Sequence, residues 1–225
     1  MAGLMRQVVA AVGVGPGPEQ QQRRDAGPQT DRGHARKAEL LEAARRVFER
    51  QGFLDARVAD IAEEAGVSQG TFYTYFDSKE AVFQAVATEL RDRMIDALKP
   101  RGPRPASVHE QIDQAMRRFV AAYRAESRLI VVVAQLGHST PEIAELRLAV
   151  REAFVARTAR GIRVQQSQGM VDPDLDPWLA SEVLGSMVDH TCWVWLTLGR
   201  EFDEEALIAT LTVVWTRALR LEEPR

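Results

Sequence analysis

Between residues 68 and 80 the chain sets hydrogen-bonding groups at a spacing that suits nucleic acid. Gln69, Thr71 and Thr74 can bond base edges or phosphates, Tyr73 offers an apolar edge plus a hydroxyl, and Gly70 lets a backbone come close. Counted at about 100° per residue, Phe72, Tyr75 and Phe76 cluster on one side of a short helix. Gly70 and Thr74 lie opposite, with Thr71 and Tyr73 on the flanks. Lys79 follows at the start of the next helix, where an ammonium and free backbone amides together suit phosphate. Packing alone accounts for the apolar positions but not for Gly70, Thr71, Tyr73 and Lys79 together.

Those residues need rigid elements behind them. Leu40, Leu41, Ala44, Val47 and Phe48 recur at steps of three and four, which predicts a helix from Ala35 that stops at Gly52. Val58, Ile61, Ala62 and Ala65 form a shorter stripe broken at Gly66. After it Ser68 is placed to cap a third helix through Phe76. Asp77 and Glu80 are spaced as a capping box before a long helix to about Leu98. Two short helices joined by a tight glycine turn have helix-turn-helix geometry, in which the second helix enters the major groove.

The run Ile61-Ala62-Glu63-Glu64-Ala65-Gly66-Val67-Ser68-Gln69-Gly70-Thr71-Phe72-Tyr73-Thr74-Tyr75-Phe76-Asp77-Ser78-Lys79-Glu80 closely resembles the DNA-binding signature of TetR-family transcriptional regulators. The likeness spans about Arg36 to Phe83, including Ala43-Ala44, Phe48 and Gly52-Phe53. It implies an all-α homodimer with an N-terminal three-helix reader and a C-terminal ligand-binding and dimerisation domain. By position, the family's DNA contacts fall on Gln69, Gly70, Thr71, Tyr73, Thr74, Tyr75 and Lys79, with Tyr75 packing its ring inward and reaching phosphate only through its hydroxyl. The second helix departs from the family pattern: it opens Ala56-Arg57-Val58 where many relatives have two hydroxyl residues before the valine. There Asp55 is the candidate cap, and Arg57 a candidate phosphate contact.

Composition first points away from nucleic acid, because the 225 residues carry a formal net charge of −3. The charge is polarised, however. Residues 1 to 50 hold nine basic and six acidic side chains, leaving −6 for the rest. Residues 1–33, rich in glycine and proline, read as a flexible tail. Its Arg23, Arg24 and Arg32, with Arg36 and Lys37 of the first helix, fit an arm along DNA or simply a solvated basic segment. The domains expected are the tail (1–33), a helix-turn-helix reader (34–80) and a ligand-binding and dimerisation body (81–225).

The body is expected to be helical throughout, giving an all-α chain of about nine helices. Pro100, Gly102, Pro103 and Pro105 mark a linker. Beyond it come a stripe from Val108 to Tyr123 and a separate buried helix at Leu129–Val133. Helices then start at Thr140-Pro141, Asp176-Pro177 and Asp203. The apolar excess of the last two long helices fits the dimeric bundle that the resemblance implies. A pocket between central helices is expected to be lined by Met116, Phe119, Tyr123, Phe154, Met187, His190 and Trp193. For each of these a plain core role is the competing reading. Ser186, Asp189 and His190 raise a hydrolase reading, but Asp189 is expected to point away from the imidazole, and no nucleophile elbow, phosphate loop or metal-ligand spacing appears.

The function expected is a ligand-responsive repressor, binding a palindromic double-stranded DNA operator as a homodimer and released by a small, largely apolar effector. A ligand-independent repressor or activator is the alternative, and behind it a helical-bundle enzyme with a vestigial helix-turn-helix. No catalytic residue, metal site or cofactor is expected. With one cysteine, Cys192, and no apolar run of membrane-spanning length, the setting expected is cytoplasmic.

Overall fold

Glycines, prolines and capping side chains cut the chain into its elements. The computed structural model describes residues 31–103, 105–137 and 140–221. Among them stand eight helices and no strand. These are α1 (Asp31–Asp55), α2 (Val58–Glu64), α3 (Gln69–Tyr75), α4 (Lys79–Ala97), α5 (Val108–Leu136), α6 (Pro141–Ser167), α7 (Pro177–Leu196) and α8 (Glu204–Ala218). Residues 1–30, with Arg23 and Arg24 of the candidate arm, lie outside the described residues.

Four local expectations are corrected. The first helix begins at Asp31, inside the segment assigned to the tail, and Gly33 is already buried. Two expected helices are one, α5, because no glycine or proline interrupts the chain from Val108 to Leu136; the eight helices among the described residues still agree with an all-α chain of about nine. The cap of α4 is Ser78, whose Oγ accepts from the Ala81 amide, so Asp77 sits one residue too early. Asp55 does not cap α2. Its N-cap is Arg57, whose amide donates to the Asp60 carboxylate at 3.1 Å.

Gly52 breaks α1 as expected, at φ 75° and ψ 176°, a conformation open to glycine and strained for other residues. The break folds Phe53 back so that its ring meets Phe83 at 4.9 Å, while Phe48 meets Phe83 edge to face at 5.1 Å. Around these rings Leu40, Val47, Ile61, Phe72 and Val82 are fully buried. Each contributes on the order of 1.5–3 kcal/mol relative to exposure.

α4 leaves this cluster and continues into the body, packing on α1, α5 and α6. There α6 lies along α7, and α8 along α5. Asp176 and Asp203 cap α7 and α8 by accepting backbone amides. Buried Gly185 lets α7 close onto the Phe154 ring, which an added Cβ would overlap.

Reader and body are joined by charge. The Glu126 carboxylate of α5, 7% exposed, accepts from Arg93 Nε of α4 at 2.8 Å and pairs with Arg45 of α1 at 3.3 Å. Burial lowers the Arg45 guanidinium, but Glu49 and Glu126 more than offset this and hold it above the usual arginine value. Removing one partner of a fully buried pair costs about 3–5 kcal/mol. Here the arginine side chains keep 21% and 36% of their surface, so the loss is smaller. Glu126→Ala is expected to lower unfolding free energy by about 1–3 kcal/mol in urea titration. A loss under about 0.5 kcal/mol would show that the joint is not structural.

Candidate functional site

The turn between α2 and α3 is set by Gly66, at φ +65°, with the Val67 amide donating to the Ala62 carbonyl at 2.9 Å. Ser68 then caps α3, its Oγ accepting from the Thr71 amide at 3.1 Å. Phe72 and Phe76 are buried, so the opposite face of α3 turns outward. Gln69, Gly70, Tyr73 and Thr74 are exposed, and Thr71 and Tyr75 half-buried. Tyr73 is held edge to face on Phe72 at 5.4 Å and leaves 53% of its surface open. The Thr74 hydroxyl donates to the Gly70 carbonyl at 3.1 Å, which leaves its oxygen free to accept.

Gly70 has no internal reason to be glycine. A Cβ built there would meet only Ser68 Oγ, at an ordinary 3.7 Å. Glycine in an exposed helix is less stable than alanine by about 0.8–1.0 kcal/mol. The fold itself therefore leaves room for a side chain at this outward position.

Cations near this face divide in two. Arg57 and Lys37 are exposed, and the Lys37 ammonium lies 5.7 Å from the Phe76 ring centre. Arg36 pairs with Glu39, while Arg46 and Arg50 both pair with Glu64 and hold its carboxyl below the usual range.

Lys79 differs most from expectation. Its Nζ donates to the carbonyls of Phe53 at 2.8 Å and Ala56 at 2.9 Å, and lies 3.4 Å from that of Leu54. It also sits 4.4 Å from the Phe53 ring centre. The ammonium is engaged as a clamp between α4 and the end of α1, so the expected free point charge for phosphate is corrected. Only the amides at the start of α4 remain for that purpose.

In the body, α4, α5, α6 and α7 enclose a cavity of about 720 Å³, within the usual range for small-molecule sites. The structure brings Phe119, Tyr123, Phe154, His190 and Trp193 together on its wall, with Leu90 and Met94 from α4. Met116 and Met187 do not line it. Met116 is buried, and Met187 packs against the core.

Sequence reasoning missed the polar wall: Arg91, Arg147, Arg151 and Asp189 also face the cavity. Asp189 was expected to point away from His190, yet both line this space. Asp189 keeps accessible surface, but the surrounding protein desolvates it enough to push its carboxyl up, with Arg151, Arg147 and His190 pulling back. Arg151 holds α6 to α7 by donating to Glu182 and, at 2.6 Å, to the Ser186 hydroxyl. That hydroxyl is therefore tied to an arginine, and no hydrogen bond to His190 stands among the described residues. Burial pushes the Cys192 thiol up to about 12, as expected of an unreactive core residue.

An outward-facing recognition helix on a rigid three-helix head, joined to a helical body that holds a cavity, defines a helix-turn-helix transcriptional regulator. Residues 40–86 match the sequence model of bacterial regulatory proteins of the tetR family. That match gives the reader a TetR-family DNA-binding domain, and over most of its length the chain is similar to HTH-type transcriptional regulators. It is 29% identical over 200 residues to the HTH-type transcriptional regulator EthR of Mycolicibacterium smegmatis, covering 88% of this chain and 90% of that protein. It is 23% identical over 171 residues to the fatty acid metabolism regulator protein of Bacillus subtilis, covering 75% and 88%. Among solved structures, the fatty acid degradation regulator FadR of Bacillus halodurans superposes with a TM-score of 0.66 at 24% identity, over 83% of this chain and 97% of that one. Among the described residues no helix is long and apolar enough to cross a membrane.

Two substitutions test this geometry. Gly70→Ala is expected to stabilise the fold by about 0.5–1 kcal/mol while weakening DNA binding. Equal or tighter binding in a fluorescence-anisotropy titration would remove the close-approach argument. Lys79→Met is expected to lower Tm and DNA affinity together, leaving the salt dependence of binding unchanged. A log–log salt slope reduced by about one would instead reveal a direct phosphate contact.

Proposed function

We propose that this protein is a ligand-responsive repressor, a homodimer that binds a palindromic double-stranded operator and is released by a small effector with a mainly apolar body. The observation that carries the reading is the double duty of α4. It walls the cavity at Leu90 and Met94, and at Lys79 it is clamped to the end of α1. An occupant that shifts α4 shifts the reader with it. Such coupling is typically about 1–3 kcal/mol, and DNA must weaken effector binding by the same factor.

In this reading residues 34–80 form the reader and 81–225 the body. Gln69, Gly70, Thr71, Tyr73 and Thr74 meet the major groove. Arg36, Lys37, Arg57 and the Tyr75 hydroxyl lie toward the flanking phosphates, with Arg36 leaving Glu39 to do so. Support for a second copy comes from exposed apolar side chains on the last two helices: Leu179 and Val183, both 62% exposed, and Val214. Two copies related by a two-fold axis would set their recognition helices in successive grooves about 34–36 Å apart. The names of the Bacillus regulators, which refer to fatty acid metabolism and degradation, support aliphatic chemistry for the effector body.

Selection of duplexes from a randomised pool tests the reading. The expected site is a palindrome whose half-sites are centred about 10–10.5 base pairs, or a multiple, apart. Tyr73→Ala is expected to reduce discrimination by about 1–3 kcal/mol. The double substitution Leu179→Asp, Val183→Asp is expected to give a monomer in sedimentation and to lose more than about tenfold in operator affinity. A site without two-fold symmetry, or a monomer that binds at full strength, would overturn the proposal.

A further inference from the structure

The cavity of the preceding reading is divided by depth. Of the buried residues on its wall, Ala87, Leu90, Met94, Val133 and Gly185 offer no hydrogen-bond donor in a side chain, and Tyr123 alone does. The exposed lining residues, Gln135, Arg147, Leu148, Asp189 and His190, mark the open side. Tyr123 is held on the deep side. Its ring packs 5.8 Å from that of Phe119, which meets Phe154 at 6.2 Å, and the Phe154 ring lies against Gly185 of α7.

The Tyr123 hydroxyl makes no hydrogen bond among the described residues, and it is not sealed off as the unpaired Thr212 hydroxyl is. Tyr123 keeps 3% of its surface, and it keeps it on the cavity wall. Burial, then the field of Asp189, push its ionisation above the usual tyrosine value, so the oxygen holds its proton and donates. A donor that faces an apolar space without an acceptor is unfavourable. The charges on the wall, by contrast, cancel. Arg91 donates to Asp92 at 2.7 and 2.9 Å, and Arg151 to Glu182 and the Ser186 hydroxyl, both at 2.6 Å. The two charges that remain on the wall, Arg147 and Asp189, are opposite in sign. No surplus of either sign is left for an ionic headgroup.

We infer that Tyr123 is the polar anchor of the cavity and that the effector is an uncharged carbonyl compound, a ketone or ester, whose oxygen accepts from Tyr123 and whose apolar arms lie against Leu90, Met94 and Phe119. An alcohol fits less well. Whichever of the two hydroxyls donates, the other proton is left unpaired among carbon atoms. A carbonyl brings an acceptor and no donor. The inference rests on the reading of that cavity as the effector site and names the effector's class.

The test uses the full chain at about pH 8, above the range in which carboxyls and imidazoles ordinarily change charge. Nile red, a neutral dye, is displaced by 2-nonanone or by 2-methyl-1-nonene, which carries a methylene group in place of the carbonyl oxygen. The alcohol 2-nonanol and the ions nonanoate and nonylammonium complete the series, each below its solubility or aggregation limit. The ketone is expected to bind about threefold to tenfold more tightly than the alkene, the worth of one hydrogen bond. It is also expected to bind more tightly than the alcohol and than either ion. Tyr123→Phe is expected to bring the ketone down to the level of the alkene.

Without ligand, Tyr123→Phe is expected to keep or raise Tm, because it removes an unpaired hydroxyl and leaves the ring in place. A fall in Tm would show that the protein itself holds the hydroxyl and count against the anchor. Equal binding of ketone and alkene, an advantage that survives Tyr123→Phe, or a preference for the alcohol or for either ion overturns the carbonyl anchor and leaves the cavity reading intact. If none of the five compounds displaces the dye, both fall.

Discussion

Glu126 is the carboxylate on which the rest of the arrangement depends. It sits on α5, in the body, and holds one arginine from α4 and one from α1. A buried carboxylate cannot remain ionised without partners. The body therefore specifies where two arginines of other elements must lie. Lys79 makes the matching joint at the other end of α4, where three carbonyls at the broken end of α1 surround one ammonium. Between the two joints α4 acts as a strut, its Leu90 and Met94 facing the cavity. The strut is thus tied to α1 directly at Lys79 and, through Glu126, at Arg93.

The same joints explain how an acidic chain can carry a DNA reader. Within residues 34–80 acidic side chains outnumber basic ones, nine to seven. Three of the seven cations are already engaged: Glu64 holds two arginines of α1, and Glu49 a third. The two Glu64 pairs tie α2 to α1, while Arg45–Glu49 lies within α1. The proposed binding face is thus short of free cations, and what it offers is shape: an exposed tyrosine, a helix that lacks a side chain at Gly70, and amides at helix starts. Specificity from such contacts depends on rigidity, which the Phe48, Phe53 and Phe83 rings supply beneath.

How far the sequence revealed this follows from the range of each interaction. The turn at Gly66, the Ser68 cap and the outward positions of α3 depend on residues within one or two turns of each other, and periodicity reads them directly. Where two capping residues stood side by side, Asp77 and Ser78, spacing could not choose between them. Lys79 was legible as a cation at a helix start. Its true partners, some 23 to 26 residues upstream, exist only because Gly52 turns the chain. The aromatic wall of the cavity was legible because large rings on central helices have few other places to go. Its arginines were not, since a charged residue on a helix reads as solvent-facing until the neighbouring helix is in place. For Leu129–Val133, β-branched residues imitated a separate element, and tertiary packing kept them within α5.

α5 carries two contrasting charges roughly two turns apart: Glu126, which is buried, and Arg118, which is half-buried with only its Nε fully covered. One is closed by arginines from two other helices and serves as a fixed joint. The other meets only like charge, and its Nε is left without an acceptor. The closed charge lies on the helix that faces α4 along the cavity, so one carboxylate holds α4 to the body and reaches α1 as well.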